Sequence, residues 1–288
     1  MKKLIQRLLV FIAGLPLIFA IVYFLPHYNQ LALNIAVVVS SALGALEFSL
    51  MLKKKNLVIS RAEALVLGAL GPAAMTAASA LNLDCSLLYA VFLGGVSWLL
   101  ISGIFYRAET LDRFTGRLCA GFCVLIYPGL FMEWIIRMGL FEKSREIILV
   151  FLAMVFANDS LAWASGMLFG KGNRGVIPAS PNKSAAGFIG GTAASVLAGA
   201  WAALCLPGVF IPRRVPALAA GMILGLLSGA AASLGDLGES AIKRSSGIKD
   251  SGFIIPGRGG MLDSIDSIAL AAPVFYHACR ILFVQSQL

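Results

Sequence analysis

The 288-residue chain is 59% hydrophobic and 13% charged, with a mean hydropathy of +0.88. Soluble globular domains run near 45–50% apolar and about 25% charged, so this composition excludes that class and points to a polytopic membrane protein. A formal net charge of +9 raises nucleic acid as a partner, but the basic residues sit in short segments between apolar runs. Membrane topology and contact with anionic headgroups account for them, and no nucleic-acid partner is expected.

Nine candidate spans follow in chain order, at residues 4–25, 31–52, 62–80, 86–105, 118–140, 147–169, 185–206, 215–234 and 268–284. Each is near the length of about 20 residues that crosses a hydrocarbon core as a helix. The expected fold is all-α: a polytopic transmembrane bundle with N-terminal membrane helices over 1–140 and a second membrane region over 141–288. The third, seventh and eighth runs are rich in Ala and Gly and are expected to lie against other helices, because small side chains permit close packing. Alternating the loops puts 17 of the 23 basic residues on the side of the N-terminus. The positive-inside rule makes that side cytoplasmic and leaves residues 285–288 outside. The first run has the basic start of a signal sequence. It is long, lacks a small-residue cleavage pattern and reads as an uncleaved helix.

Within the spans, Pro16, Pro72 and Pro128 mark kinks or sites of packing tolerance. Glu47 and Glu133 interrupt apolar stretches and either line a polar cavity or reach water at an interface. Arg107–Arg117 alternates acids and bases, as a headgroup-level amphipathic segment or a solvated loop would. The five cysteines read as small packing residues without disulfides, and two histidines are too few for a histidine-based metal site.

The sixth span carries Asn158-Asp159-Ser160. An aspartate there is expensive unless it is paired, hydrated or metal-bound. The following loop holds Ser180-Pro181-Asn182-Lys183-Ser184, with Lys183 as a point charge for phosphate and Ser180 or Ser184 as a donor. No Walker or Rossmann pattern is present.

The segment Asp236–Asp266 concentrates five acids and four bases, a functional-site signal beside membrane spans. If the eighth span continues as a helix, Asp236, Glu239 and Lys243 share a face, with Arg244 beside them. Gly247 and the serines before it weaken the helix. Lys249 and Asp250 then enter a loop with Gly252, Pro256, Gly257, Arg258, Gly259 and Gly260, suited to turns or close approach to a ligand. Asp263 and Asp266, again three apart, open the last helix. Hard oxygen donors beside cations suit magnesium and phosphate, with Asp236, Asp263 and Asp266 as the best carboxylate ligands on spacing.

These residues carry a specific resemblance. Ser240–Arg244, Lys249–Gly252, Pro256–Gly260 and Leu262–Ser267 closely resemble the signature of the phosphatidate cytidylyltransferase family, and Asn158–Ser160, Ser180–Ser184 and Gly190-Gly191 resemble its upstream elements. The resemblance covers roughly residues 158–266. It implies transfer of a cytidylyl group from CTP to phosphatidate, giving CDP-diacylglycerol and pyrophosphate, in a bacterial-type inner membrane. It implies Mg2+ on Asp236, Asp263 and Asp266. Lys183, Lys243, Arg244 and Lys249 would hold phosphates, Glu239 and Asp250 would give order or a metal contact, and Asp159 would orient the network. A homodimer is also compatible with the family. The sequence departs from the pattern at Arg258, usually histidine, and at Ser264, usually arginine. It departs again at Gly238, usually bulky, and at Ala186, usually acidic. A polyprenol or related lipid kinase would instead release a nucleoside diphosphate. A secondary transporter of anionic metabolites would move its substrate unchanged, and the duplicated broken helices of such folds are not evident.

Overall fold

The computed structural model describes residues 2–84 and 86–284, with side chains described from residue 12 onward except at 108–110. Cys85 and the 285–288 tail, which the charge pattern puts outside the membrane, lie beyond the described residues. Eight helical segments are long and apolar enough to cross a membrane among the described residues. The first expected span, 4–25, corresponds to helix α1 (Lys2–Phe24), whose described apolar part is Ile12–Phe24. This is a multi-pass, almost entirely helical protein. Residues up to Arg137 together with Ser245–Ile265 form one compact unit, and Met138–Arg244 with the chain from Asp266 onward form another.

The first unit contains α1, α2 (His27–Lys53), α3 (Arg61–Leu81), α4 (Ser86–Ile101) and α5 (Phe114–Val124), and the chain leaves it through α6 (Glu133–Met138). Ser60 starts α3 by accepting a hydrogen bond from the Glu63 amide at 3.2 Å, and Asn82 ends it in the left-handed conformation with φ +52°. Gly68 lets α3 lie directly on α2, since a Cβ there would collide with Ala45. The fifth span is broken at Pro128, one of the two outcomes the sequence left open. Residues Leu125–Leu130 open into a π-helical turn, because proline lacks the amide that would close an α-turn. The Ser41 hydroxyl of α2 shares its single proton between the carbonyls of Pro128 and Gly68, covering the broken turn. Glu133 is buried and paired with Arg137 at 3.1 Å, and the Arg137 guanidinium lies 4.6 Å from the Trp134 ring centre. Its partner is thus one turn away.

The second unit holds α7 (Ser144–Phe169), α8 (Ala185–Cys205), α9 (Ala217–Ser245) and most of α10 (Leu262–Leu282), with a two-residue antiparallel pair, β1 (Ile211–Pro212) and β2 (Phe283–Val284). Glycines set its packing as the composition predicts. Gly187 and Gly191 bring α8 onto the α7 backbone at Ala162 and Asn158, and Gly199 meets Gly221 of α9 backbone to backbone. Gly221→Leu is expected to lower stability by about 3 kcal/mol, because the extra atoms meet a neighbouring main chain that cannot repack. Thermal unfolding in detergent checks this, with Gly94→Leu as the unaffected control, since a Cβ at Gly94 meets nothing within 4 Å.

The cysteine reading needs correction. Cys279 is buried, but Cys119, Cys123 and Cys205 are exposed. A weakly polar thiol costs little on a surface suited to lipid, so burial is not required of it.

Candidate functional site

In the second unit, α9 runs eleven residues beyond the expected end of its apolar run, so Asp236, Glu239, Lys243 and Arg244 are all helical. Glu239 is fully buried and forms an i,i+4 ion pair with Lys243. Asp236 pairs with Lys183, which arrives from the loop between α7 and α8. That loop folds back over the end of α7. The Asn173 side chain donates to the Phe169 carbonyl at 2.9 Å, the Ala185 amide donates to the Asn173 carbonyl at 3.0 Å, and Gly172 and Gly175 make the left-handed turns. Lys183 therefore reaches α9 from a braced turn.

Asp266, only 6% exposed, stands in α10 with the charges of Asp236, Glu239 and Asp159 as its electrostatic neighbours. Its Oδ1 accepts from the Ser267 amide at 2.6 Å, while the Ser267 hydroxyl donates to Asp159 Oδ1 at 3.3 Å. Gly235 makes this approach possible, because a Cβ there would strike the Asp266 carbonyl. Asn158 Nδ2 donates to Ser233 Oγ at 3.1 Å and serves helix packing beside the acids. Ser184 is buried and caps α8, accepting from the Gly187 amide at 3.1 Å. Ser180 is half-buried in the loop, its carbonyl accepting from the Lys183 amide.

In the first unit, Ser245–Ile265 forms a second polar element. Gly247, with φ +70°, follows the end of α9. Ile255-Pro256-Gly257-Arg258 makes a type II-like turn: the Arg258 amide donates to the Ile255 carbonyl at 3.2 Å, and Gly257 supplies φ +76°. Asp263 Oδ2 collects three hydrogen bonds, from the Ser251 amide at 2.8 Å, the Ser251 hydroxyl at 2.9 Å and the Gly260 amide at 2.8 Å. Lys249 and Asp250 are exposed in this loop, Arg258 is half-buried, and Arg244 is exposed on α9.

Glu47 also belongs to this element. It accepts from the Met261 amide at 3.0 Å and the Leu262 amide at 2.9 Å, and its Oε2 shares the single Ser251 hydroxyl proton, at 2.9 Å, with Asp263 Oδ2. The sequence marked Glu47 only as an acid in an apolar run, and its partners lie more than 200 residues away. Among the departures from the family pattern, Gly238 has open space where a side chain would stand, and Ala186 is half-buried in the first turn of α8.

A model of the cytidylyltransferase family matches residues 5–282. The chain belongs to the cytidylyltransferase family. It is similar to the phosphatidate cytidylyltransferase of Brucella abortus biovar 1 (strain 9-941), 35% identical over 202 residues that cover 63% of this chain and 71% of that protein. It is also similar to the phosphatidate cytidylyltransferase of Haemophilus influenzae, 37% identical over 161 residues covering 50% of this chain and 51% of that protein. An uncharacterized protein of Escherichia coli K12, YnbB, is 38% identical over 143 residues, 48% of this chain and 44% of YnbB. The chain thus spans about half the length of two of these relatives and about seven-tenths of the third.

The resemblance of this cytidylyltransferase-family chain implies magnesium. Among the described residues, no group of three or more His, Cys, Asp and Glu side chains forms a ready-made metal cage. Magnesium commonly binds through one or two carboxylates and completes its shell with waters and substrate phosphates, so a closed cage is not required. In the second unit, Asp236 is paired with Lys183 and Glu239 with Lys243, and Asp159, Asp236 and Glu239 are the charged neighbours of buried Asp266. The donors are hard oxygens, and the donor set fits the ion.

Proposed function

We propose that the protein transfers the cytidylyl group of CTP to phosphatidate, forming CDP-diacylglycerol and pyrophosphate. The supporting observation is the Lys183–Asp236 pair, which joins the loop before α8 to the acids of α9 beside buried Asp266. Family membership gives this cluster its chemistry.

A phosphate oxygen of phosphatidate attacks the α-phosphorus of CTP. The bond from that phosphorus to the bridging oxygen breaks, and pyrophosphate leaves with the electron pair. Lys183 and Lys243 stabilise phosphate charge as it shifts toward the leaving group, and Arg244, Lys249 and Arg258 add cationic contacts. Of the carboxylates that the resemblance implies as magnesium ligands, Asp236 and Asp266 stand together in the second unit and Asp263 in the first; the ion would supply Lewis-acid polarisation of phosphate oxygens. Asp159 and Glu239 orient their neighbours, Asp159 through Ser267 and Glu239 through Lys243. Asp250 serves the loop side of the site, and Ser180 and Ser184 serve the turn that carries Lys183. The phosphates meet these residues at the cytoplasmic face of a bacterial inner membrane, while the acyl chains stay in lipid.

Product analysis tests the reaction type. With CTP, phosphatidate and magnesium, the purified chain is expected to release one pyrophosphate for each CTP consumed and no CDP. Release of CDP would instead mark transfer of the γ-phosphoryl group.

A further inference from the structure

We infer that Glu47 is a positioning residue for the proposed transfer: from inside membrane-spanning helix α2 it holds the Ser251–Leu262 loop and thereby sets where Asp263 is presented. The inference rests on the cytidylyl-transfer reading above.

A carboxylate in an apolar span is costly unless its oxygens are satisfied. Glu47 is 4% exposed, and both its oxygens accept hydrogen bonds from one short region of chain. Two donors are the Met261 and Leu262 amides, at the start of α10. Helix N-termini leave such groups without intrahelical partners, and the helix dipole favours a negative charge there. The third donor is the Ser251 hydroxyl, whose oxygen stands 2.9 Å from Glu47 Oε2 and 2.9 Å from Asp263 Oδ2. Ser251 thus links the two acids.

The surrounding glycines fit the same account. A Cβ at Gly252 or at Gly260 would collide with the Glu47 carboxylate, so the loop wraps it by main chain. One turn earlier in α2, Gly44 admits Ile265 and Leu262, since a Cβ there would lie 3.0 Å from Ile265 Cδ1. The loop and the first turn of α10 are therefore seated on α2 by two adjacent contacts, one apolar and one charged. Glu47 acts on Asp263 through Ser251 and the Gly260–Leu262 main chain, which makes it a positioning residue.

Glutamine cannot replace it cleanly. Each Glu47 oxygen receives at least one donor, so an amide nitrogen at either position would face an N–H or O–H.

The test compares the full-length wild type, Glu47→Gln, Ser251→Ala and the double variant in lipid nanodiscs. Hydrogen exchange is read across the 249–262 loop and across α8, and transfer rates are measured over a magnesium titration. Glu47→Gln is expected to speed loop exchange about tenfold or more while α8 is unchanged. It is also expected to raise the magnesium concentration for half-maximal rate about fivefold and to lower the maximal rate about a hundredfold. The double variant should be no worse than Glu47→Gln alone, because the two residues act as one unit. A merely structural role would lower the active fraction without moving the magnesium midpoint. Unchanged loop exchange, an unmoved midpoint, or losses that multiply in the double variant would each overturn the inference. If Glu47→Gln does not fold, Ser251→Ala carries the same two readouts in milder form. A wild type that makes no lipid product overturns the transfer reading, while loop exchange still decides whether Glu47 holds the loop.

Discussion

Asp236→Asn is expected to cut cytidylyl transfer by about a thousandfold while leaving the protein folded, because the carboxylate that fixes Lys183 and would hold magnesium is lost from a largely preorganised site. Asp236 and Lys183 are only partly buried, and an ion pair of that kind contributes about 1 kcal/mol or less to stability. The change therefore separates chemistry from folding. In the wild type, Asp236 fixes the Lys183 ammonium at the end of a braced turn and lies in the acid cluster around Asp266. The asparagine variant loses both the charge and the hold on Lys183. Lys183→Met should produce a loss of similar size, and the double variant should fall little further, since the two side chains form one unit. Initial rates beside thermal midpoints check both points. A rate within threefold of wild type for Asp236→Asn would remove Asp236 from the reaction.

Asp263 allows a sharper separation. Its Oδ2 receives three hydrogen bonds from Ser251 and Gly260. Asparagine can present its carbonyl oxygen to those donors, so Asp263→Asn keeps the loop and removes the charge. Asp263→Ala removes both and leaves the Ser251 and Gly260 amides without their acceptor, while the Ser251 hydroxyl keeps Glu47, at a cost of about 2 kcal/mol or more. Both variants are expected to lose activity by at least about a hundredfold, but only alanine should lower the unfolding midpoint and loosen the 249–262 loop. An asparagine variant with near wild-type activity would reduce Asp263 to a helix-start acceptor.

The membrane character of the chain was legible because a lipid-spanning segment must satisfy its own backbone, and helices of apolar residues are the economical way to do so. Helix ends were less legible. Hydropathy marks where the side chains suit lipid, whereas α9 continues past that limit to Ser245, and α10 begins at Leu262, ahead of its apolar run. Those extensions carry Asp236, Glu239, Lys243, Asp263 and Asp266. The three-residue acid spacings read correctly as helical even though the span boundaries did not. The Glu239–Lys243 pair was visible as an i,i+4 spacing, since its geometry is local.

Lys183 with Asp236 was legible only as a shared membrane face. The pairing itself depends on how the Asn173 turn folds back, through bonds between side chain and main chain that have no periodic signature. Ser184 was read as a phosphate donor, and its position at the start of α8 shows a helix cap as well. Glu47 was the least legible of these residues. Nothing near it in sequence explains a buried acid, and its donors come from a loop joined to it only by tertiary folding.

The most direct test of the central reaction uses the purified protein in lipid micelles with magnesium, phosphatidate and CTP labelled at the α-phosphate. The label is expected to enter a lipid that co-migrates with CDP-diacylglycerol, with matching pyrophosphate, and to be lost in Asp263→Asn. A folded protein that binds both substrates but leaves the label in CTP, or releases it as CDP, would contradict the account.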